Sequence, residues 1–224
     1  MKEDLVYRLA LSKVPQIGYV HAKLLVQNFP TARAIFEAKI SDLERIEGIG
    51  TVRAGHIHRF RDFDNCNREI EFLEKYHIRA LFLTDEEYPR RLLHCYDPPT
   101  ILFYKGTADL NAPKMIGIVG TRSNTEYGKS FTDKLVKDLA SLQVTVVSGL
   151  AFGIDAIAHK TALKQSLMTV GALGHGLGTI YPAEHASLAK EMIRQGGLVT
   201  EFFHETKPDK HNFPSRNRLV AGMC

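Results

Sequence analysis

The apolar positions of this chain change their period part-way along, and the change marks two kinds of structure. Up to about Cys66 they recur at helical spacing. Leu5, Val6 and Leu9 begin a stripe that Leu24-Leu25, Ile35-Phe36 and Leu43 continue. Ser41 with Glu44 three positions later has the form of a capping box, so a helix is expected to start there. Two short breaks interrupt this stretch, Val14-Pro15-Gln16-Ile17-Gly18 and Ile46-Glu47-Gly48-Ile49-Gly50. Each precedes a basic helix, carrying Lys23 or Arg53, which makes a weak internal repeat. The second break has the apolar-x-Gly-apolar-Gly form of a helix-hairpin-helix turn, and the first has Gln16 where the second has Gly48. Such turns can aim backbone N–H groups at a phosphate. They also serve in a plain helical bundle that binds nothing, and the charge balance of this half fits the plainer role.

Beyond Ile78 the pattern shortens. Ile78–Leu83 predicts a strand, Tyr88-Pro89 and Asp97-Pro98-Pro99 predict turns, and Ile101–Tyr104 predicts a second short apolar strand. From Lys114 strands and helices alternate. Strands are expected at Met115–Val119, Val144–Val147, Met168–Ala172 and Leu198–Phe202. Helices are expected at Glu126–Leu142, Ile154–Leu163 and Glu184–Arg194, the last stopped by Gly196-Gly197. This alternation predicts right-handed βαβ units and a Rossmann-like, doubly wound, mainly parallel sheet. The expected organisation is a small all-helical helix-hairpin-helix or SAM-like domain over residues 1–66, then the α/β domain over residues 67–224.

Composition adds limits. A chain of 224 residues, 44% hydrophobic and 24% charged, suits one or two folded domains. No apolar run approaches the roughly 18–20 residues of a membrane span. The start, Met1-Lys2-Glu3-Asp4, does not have the form of a signal peptide. Cys66, Cys95 and Cys224 are widely spaced, so reduced thiols in a cytoplasmic protein are expected and no metal site. Residues 1–110 hold 16 basic and 16 acidic side chains, and residues 111–224 hold 13 and 9, so the whole net charge of +4 lies in the second half. Lys207, Lys210, Arg216 and Arg218 crowd into twelve residues against Asp209 alone.

Ligands of such sheets bind beyond the carboxyl ends of the strands. Four loops reach that edge: Gly120-Thr121-Arg122-Ser123, Ser148–Asp155, Gly171–Pro182, and Glu201 onward into the basic cluster. Their glycines expose backbone N–H groups, and Thr121, Ser123 and Ser148 offer hydroxyls. Arg122 offers a planar fork for a phosphate. The first turn lacks Gly-x-Gly-x-x-Gly, and Gly149 and Gly153 are followed by no Gly-Lys-Ser/Thr. A nucleotide, a phosphosugar and a polynucleotide fit these loops about equally. The segment Phe213-Pro214-Ser215-Arg216-Asn217-Arg218 shifts the balance. It supplies arginines for phosphates and an aromatic face for a base. With Arg122, Lys207 and Lys210 it favours an extended polyanion.

Taken in order, these motifs resemble those of the DNA-processing protein A (DprA/Smf) family. They are Val119-Gly120-Thr121-Arg122, Ser148-Gly149-Leu150-Ala151-x-Gly153-Ile154-Asp155, Tyr181-Pro182 and Phe213-Pro214-x-Arg216-Asn217-Arg218, with Tyr88-Pro89-x-x-Leu92 and Asp97-Pro98-Pro99 upstream. The resemblance covers essentially the whole chain. It implies an extended Rossmann-like core that binds single-stranded DNA and a mediator that loads a RecA-type recombinase during natural transformation, with no cofactor, catalysis or membrane. It also implies self-association as a homodimer in the full-length family. The DNA contacts expected are Gly120, Thr121, Arg122, Ser148, Gly149, Gly153, Lys160, Lys207, Lys210, Phe213, Arg216, Asn217 and Arg218. Family members continue past the point where this chain stops, so the resemblance implies a chain cut short, with the sheet incomplete and its edge open.

Other side chains have plainer expected roles. Asp155 caps its helix or braces a loop, and His159 packs or hydrogen-bonds locally. His175 and His185 lack a third partner at metal spacing. Ser148 lacks the setting of an activated nucleophile. The alternative function is a nucleotide- or phosphosugar-processing Rossmann-like enzyme of phosphoribohydrolase type, which would need a catalytic carboxylate in a glycine loop. A scaffold that only recruits proteins would leave the basic cluster without a purpose.

Overall fold

The computed structural model describes residues 2–224, which form two compact units. The first comprises the chain up to Asp85 together with Tyr96–Ile101. It holds six helices, α1 (Lys2–Leu11), α2 (Tyr19–Asn28), α3 (Ala32–Glu37), α4 (Ile40–Glu44), α5 (Gly50–Arg59) and α6 (Phe63–Lys75), then a strand, β1 (Arg79–Phe82). Leu9, Leu25, Ile35, Leu43, Ile57 and Cys66 are fully buried or nearly so at its centre. The rings of Tyr7, Phe36, Phe60 and Phe63 pack edge to face or tilted, with centroids 5.2–5.8 Å apart.

The two breaks are inter-helical turns that share a left-handed residue at their third position and differ at the fifth, where Gly18 is extended and Gly50 has φ +58°. Gln16 adopts φ +62° and Gly48 φ +92°, so the left-handed turn that glycine favours is made by glutamine in the first copy. Arg53 joins them: its Nε donates to the Gln16 carbonyl and its Nη1 to the Gly48 carbonyl, each at 3.2 Å. Two expectations change here. The helix expected to start at Ser41 begins one residue earlier with Lys39 as its N-cap, so Ser41 lies inside α4 and no side chain caps it. The domain limit expected at residue 66 falls within α6. That helix buries Cys66, Glu69 and Leu73, which commits it as a whole to this unit, and the unit runs on to Asp85.

The second unit comprises Glu86–Cys95 and Leu102–Cys224. Its strands are β2 (Ile101–Gly106), β3 (Met115–Gly117), β4 (Thr145–Ser148), β5 (Thr169–Ala172) and β6 (Gly196–Thr200). Its helices are α7 (Glu126–Leu139), α8 (Ile154–Lys164), α9 (Ala186–Arg194) and α10 (Asn212–Gly222). The strands lie side by side in the order β2-β6-β5-β4-β3. Pairs β3/β4, β4/β5 and β5/β6 are parallel, and β2 runs antiparallel to β6 with Phe103 opposite Thr200. The chain is therefore mixed α/β with a mainly parallel Rossmann-like sheet, as its alternation of apolar runs predicts. Val136, Val146, Ala158 and Leu167 centre one apolar cluster, and Leu150, Ala156, Met192 and Leu198 centre a second.

Gly196 and Gly197, expected to stop a helix, are instead the first residues of β6. A Cβ on Gly196 would lie 1.9 Å from the Thr169 carbonyl oxygen, so glycine is required by the close pairing with β5 rather than by a helix end. α10 starts at Asn212, so the Phe213–Arg218 motif is helical. No helix among the described residues is long and apolar enough to cross a membrane.

Candidate functional site

The parallel strands β3 to β6 deliver their following loops to one edge of the second unit, and α10 closes over them. Between the loops and α10 lies a cleft of about 550 Å³, and Gly120, Arg122, Tyr181, Lys210, Phe213, Arg216 and Asn217 are among its walls. Its base is rigid by construction. Arg216, only 4% exposed, sends Nη1 to the carbonyls of Gly149 and Ala172, each at 2.5 Å. It thus ties the ends of β4 and β5 to α10. A Cβ on Gly149 would sit 2.0 Å from that nitrogen, so the guanidinium can lie there only over glycine. Burial pushes the Arg216 guanidinium below its usual range, and the carboxylate of Asp155 opposes that shift. The group still carries its charge.

Asp155, in the first turn of α8, turns back to accept from the N–H groups of Gly149 (3.1 Å) and Ala151 (3.3 Å). His185 Nδ1 lies 2.9 Å from the Leu150 carbonyl, where it acts as donor. Leu150 itself is held at φ +57°. The loop after β4 is thus fixed at three successive residues. Gly153, at φ +78°, turns the chain into α8, whose first N–H, from Ile154, goes to the Thr121 carbonyl at 3.2 Å. The loops after β3 and β4 therefore brace each other.

Several expected ligand contacts belong to this scaffold instead. Ser148 is 0% exposed, and its hydroxyl donates to the Ile118 carbonyl at 2.6 Å. Thr121 Oγ1 is engaged locally, accepting from the Ser123 N–H at 3.2 Å. Arg218 pairs with Glu201 as a partly buried ion pair. The amides of Gly149 and Ala151 donate to Asp155. Lys160 stands elsewhere, with Lys164 and Arg194 along a separate groove of about 400 Å³. Lys207 is exposed on the segment between β6 and α10, outside the walls of the cleft. The expectations for Asp155 as a loop brace and for His159 as a local partner agree with the structure: His159 is buried, with Nδ1 2.7 Å from the Thr169 hydroxyl.

What the cleft offers outward is a smaller set. Arg122 and Lys210 are exposed cations, and Asn217 is an exposed amide. The Arg122 guanidinium lies 5.1 Å from the Phe213 ring centroid. The Tyr181 ring, from the loop after β5, lies 5.8 Å from the Phe213 ring and 30° from parallel, and Tyr181 is 47% exposed. Two stacked rings and a guanidinium over one of them thus form one group at the mouth. Tyr181 was absent from the expected contacts. Its position in the Tyr181-Pro182 motif was the available signal, because the loop length gave no sign that it would reach Phe213.

The model of the DNA recombination-mediator protein A family matches residues 79–224, and a helix-hairpin-helix motif model matches residues 8–70. The chain belongs to the DNA recombination-mediator protein A family. It is 37% identical to Protein Smf of Synechocystis sp. over 224 residues, which is 97% of this chain and 56% of the relative. It is 40% identical to DNA processing protein DprA of Bacillus subtilis over 147 residues, which is 65% of this chain and 50% of that protein. It therefore spans about half the length of these relatives. Among solved structures, DNA processing protein A of Streptococcus pneumoniae superposes with a TM-score of 0.75 at 26% identity, covering 100% of this chain and 76% of that one. DNA processing protein A of Helicobacter pylori, described for its single-stranded DNA binding mode, superposes with a TM-score of 0.57 at 31% identity. That match covers 66% of this chain and 67% of the other.

Proposed function

We propose that the cleft binds single-stranded DNA without reading its sequence. The observation that carries this is the exposed Arg122–Phe213–Tyr181 stack beside Lys210. Cations hold phosphates, stacked rings accept any base, and the single amide of Asn217 is too little to read a sequence. Gly120 and Asn217 line the path, and Thr121 holds the turn that presents Arg122. Arg216, Arg218, Ser148, Gly149 and Gly153 act by keeping the loops in place. Membership of the family and the single-strand binding described for the Helicobacter pylori protein support this reading.

The chain then acts in the cytoplasm as a recombination mediator. It covers incoming single strands in natural transformation and hands them to a RecA-type recombinase, with homodimer formation proposed for the full-length protein. It performs no chemistry on the strand. The carboxylate best placed to serve a phosphoribohydrolase-type reaction, Asp155, is buried and already engaged by two backbone amides. Fluorescence anisotropy with labelled oligo-dT, single-stranded and duplexed, tests the reading. Salt-sensitive preference for the single strand is expected. Equal affinity for the duplex, or turnover of nucleoside monophosphates, would contradict it. A recombinase-loading assay on oligonucleotide coated by a single-strand binding protein tests the handover, with stimulation by the chain as the expected result.

A further inference from the structure

Helix α7 starts four residues after Arg122, at the same edge as the cleft, and its outward face is unlike that of a helix meant only for solvent. Tyr127 is 78% exposed and Phe131 55% exposed, with ring centroids 6.1 Å apart and planes 28° from parallel. The helix buries Thr132 and Val136 on its other side, so these two rings are not needed for packing. Residues spaced three and four apart share a helix face. Tyr127, Phe131 and Lys134 therefore form one stripe over the first turns, with Leu135 at its flank.

Charge along the stripe points to one kind of occupant. Glu126 lies off the face and pairs with Lys129 at 3.4 Å. Asp133 also lies off it, held by Lys137 at 2.6 Å and by the Thr161 hydroxyl at 2.8 Å. These bonds keep its carboxyl below the usual range. The first acid on the stripe is Asp138, more than a turn beyond Phe131. Nearest the cleft the face thus carries two aromatic rings, one lysine and no carboxylate, beginning at the positive end of the helix dipole. The exposed carboxylate of Glu126 beside this end is offset by Lys129, so a segment with exposed phosphates and unpaired bases can lie along the face. Continuity with the cleft is through Arg122, whose guanidinium lies over Phe213.

We propose that a single strand held in the cleft leaves it past Arg122 and continues along α7, its bases stacking on Tyr127 and Phe131 and a phosphate lying near Lys134. The inference rests on the proposed function of the cleft. It lengthens the binding path and gives the strand a direction, from the β5 loop to the β3 loop and onto the helix.

The chain contains no tryptophan, so a Phe131→Trp variant carries a single reporter on this face. It would be titrated with oligo-dT of about 4 and about 12 nucleotides, lengths that bracket typical single-strand sites. Quenching of the tryptophan by the longer oligonucleotide only is expected. Tyr127→Ala/Phe131→Ala should weaken binding of the longer one roughly tenfold and leave the shorter one unchanged. If both lengths bind, the tryptophan stays silent and the double variant binds like wild type, the strand does not follow α7 and the cleft reading survives. If wild type binds neither length, both readings fail together. If the double variant leaves DNA affinity unchanged but alters the sedimentation of the chain, the stripe joins copies of the protein, and the proposal is overturned.

Discussion

The guanidinium of Arg122, on the loop after β3, lies 5.1 Å from the centre of the Phe213 ring on α10. A charge and a stacking surface from distant parts of the chain are thereby presented as one unit. The contact itself contributes about 0.5–1 kcal/mol at an exposed site. Its larger effect is to aim the planar fork before any ligand arrives. Arg122→Ala should weaken oligo-dT binding and reduce the slope of log affinity against log salt by about 0.7, the share of one phosphate on a single strand. Arg122→Lys keeps the charge and loses the plane, so its affinity should fall between the two while its slope stays that of wild type. Anisotropy titrations across a salt series read both effects.

Phe213→Ala removes stacking without removing charge. A loss of about 1–3 kcal/mol in oligo-dT binding is expected, with an unchanged salt slope. Tyr181→Ala should act in the same direction and by less, because Phe213 keeps its partner in Arg122. A change in slope equal to that of Arg122→Ala would show that the aromatic variants had disturbed the arginine and had not removed a stacking face.

Arg216 and Arg218 were expected to hold phosphates, and the structure gives them other work. Arg216→Met leaves the carbonyls of Gly149 and Ala172 without their donor and the buried Asp155 without its nearest opposing charge. Breaking such a buried arrangement costs about 3–5 kcal/mol. Arg218→Met breaks a partly buried pair with Glu201 and should cost less, about 1 kcal/mol. Thermal unfolding in the absence of DNA distinguishes these roles from ligand binding: both variants should unfold earlier than wild type, Arg216→Met by much more.

His159 is wholly buried, and that burial, with Arg216 and His185 nearby, pushes its imidazole down to about 3. Its folded value therefore lies below the unfolded value of about 6.5. Above pH 6.5 both states are neutral at this group and stability is unaffected. As pH falls from 6.5 towards 3 only the unfolded chain takes up the proton. Stability is then lost, by on the order of 1 kcal/mol per pH unit. His175 is shifted in the same direction by burial and adds to the loss. Denaturant unfolding at pH 7, 5.5 and 4 should show the decline. His159→Gln should be less stable at pH 7 but flatter below 6.5, and parallel curves would contradict the assignment.

The fold was largely legible because each βαβ unit announces itself locally. Apolar runs such as Val144–Val147 and Met168–Ala172 are short enough to be strands, and the intervening helices carry stripes of their own. The antiparallel β2 was not legible, since direction depends on pairing with β6 and leaves no trace in the spacing of Ile101–Tyr104. In the site, Arg122 could be placed because its motif follows the end of β3, and Phe213 because it belongs to the motif after β6. Arg216 and Arg218 have the same residue type as Arg122, and only their partners, Gly149, Ala172 and Glu201, separate a structural arginine from an open one. Those partners lie far away in sequence. Ser148 illustrates the same limit, because a hydroxyl at a strand end faces either the ligand or the neighbouring strand, and the period of two does not say which.

A grip on the phosphates of a single strand by the exposed cations of the cleft is read by the salt dependence of oligo-dT affinity. Wild type would be compared with Arg122→Ala/Lys210→Ala, a pair chosen because both side chains are exposed and neither supports the scaffold. Steep salt dependence is expected for wild type, with a slope shallower by about 1.4 for the folded double variant, two phosphates at about 0.7 each. Equal slopes and equal affinities for the two proteins would contradict it.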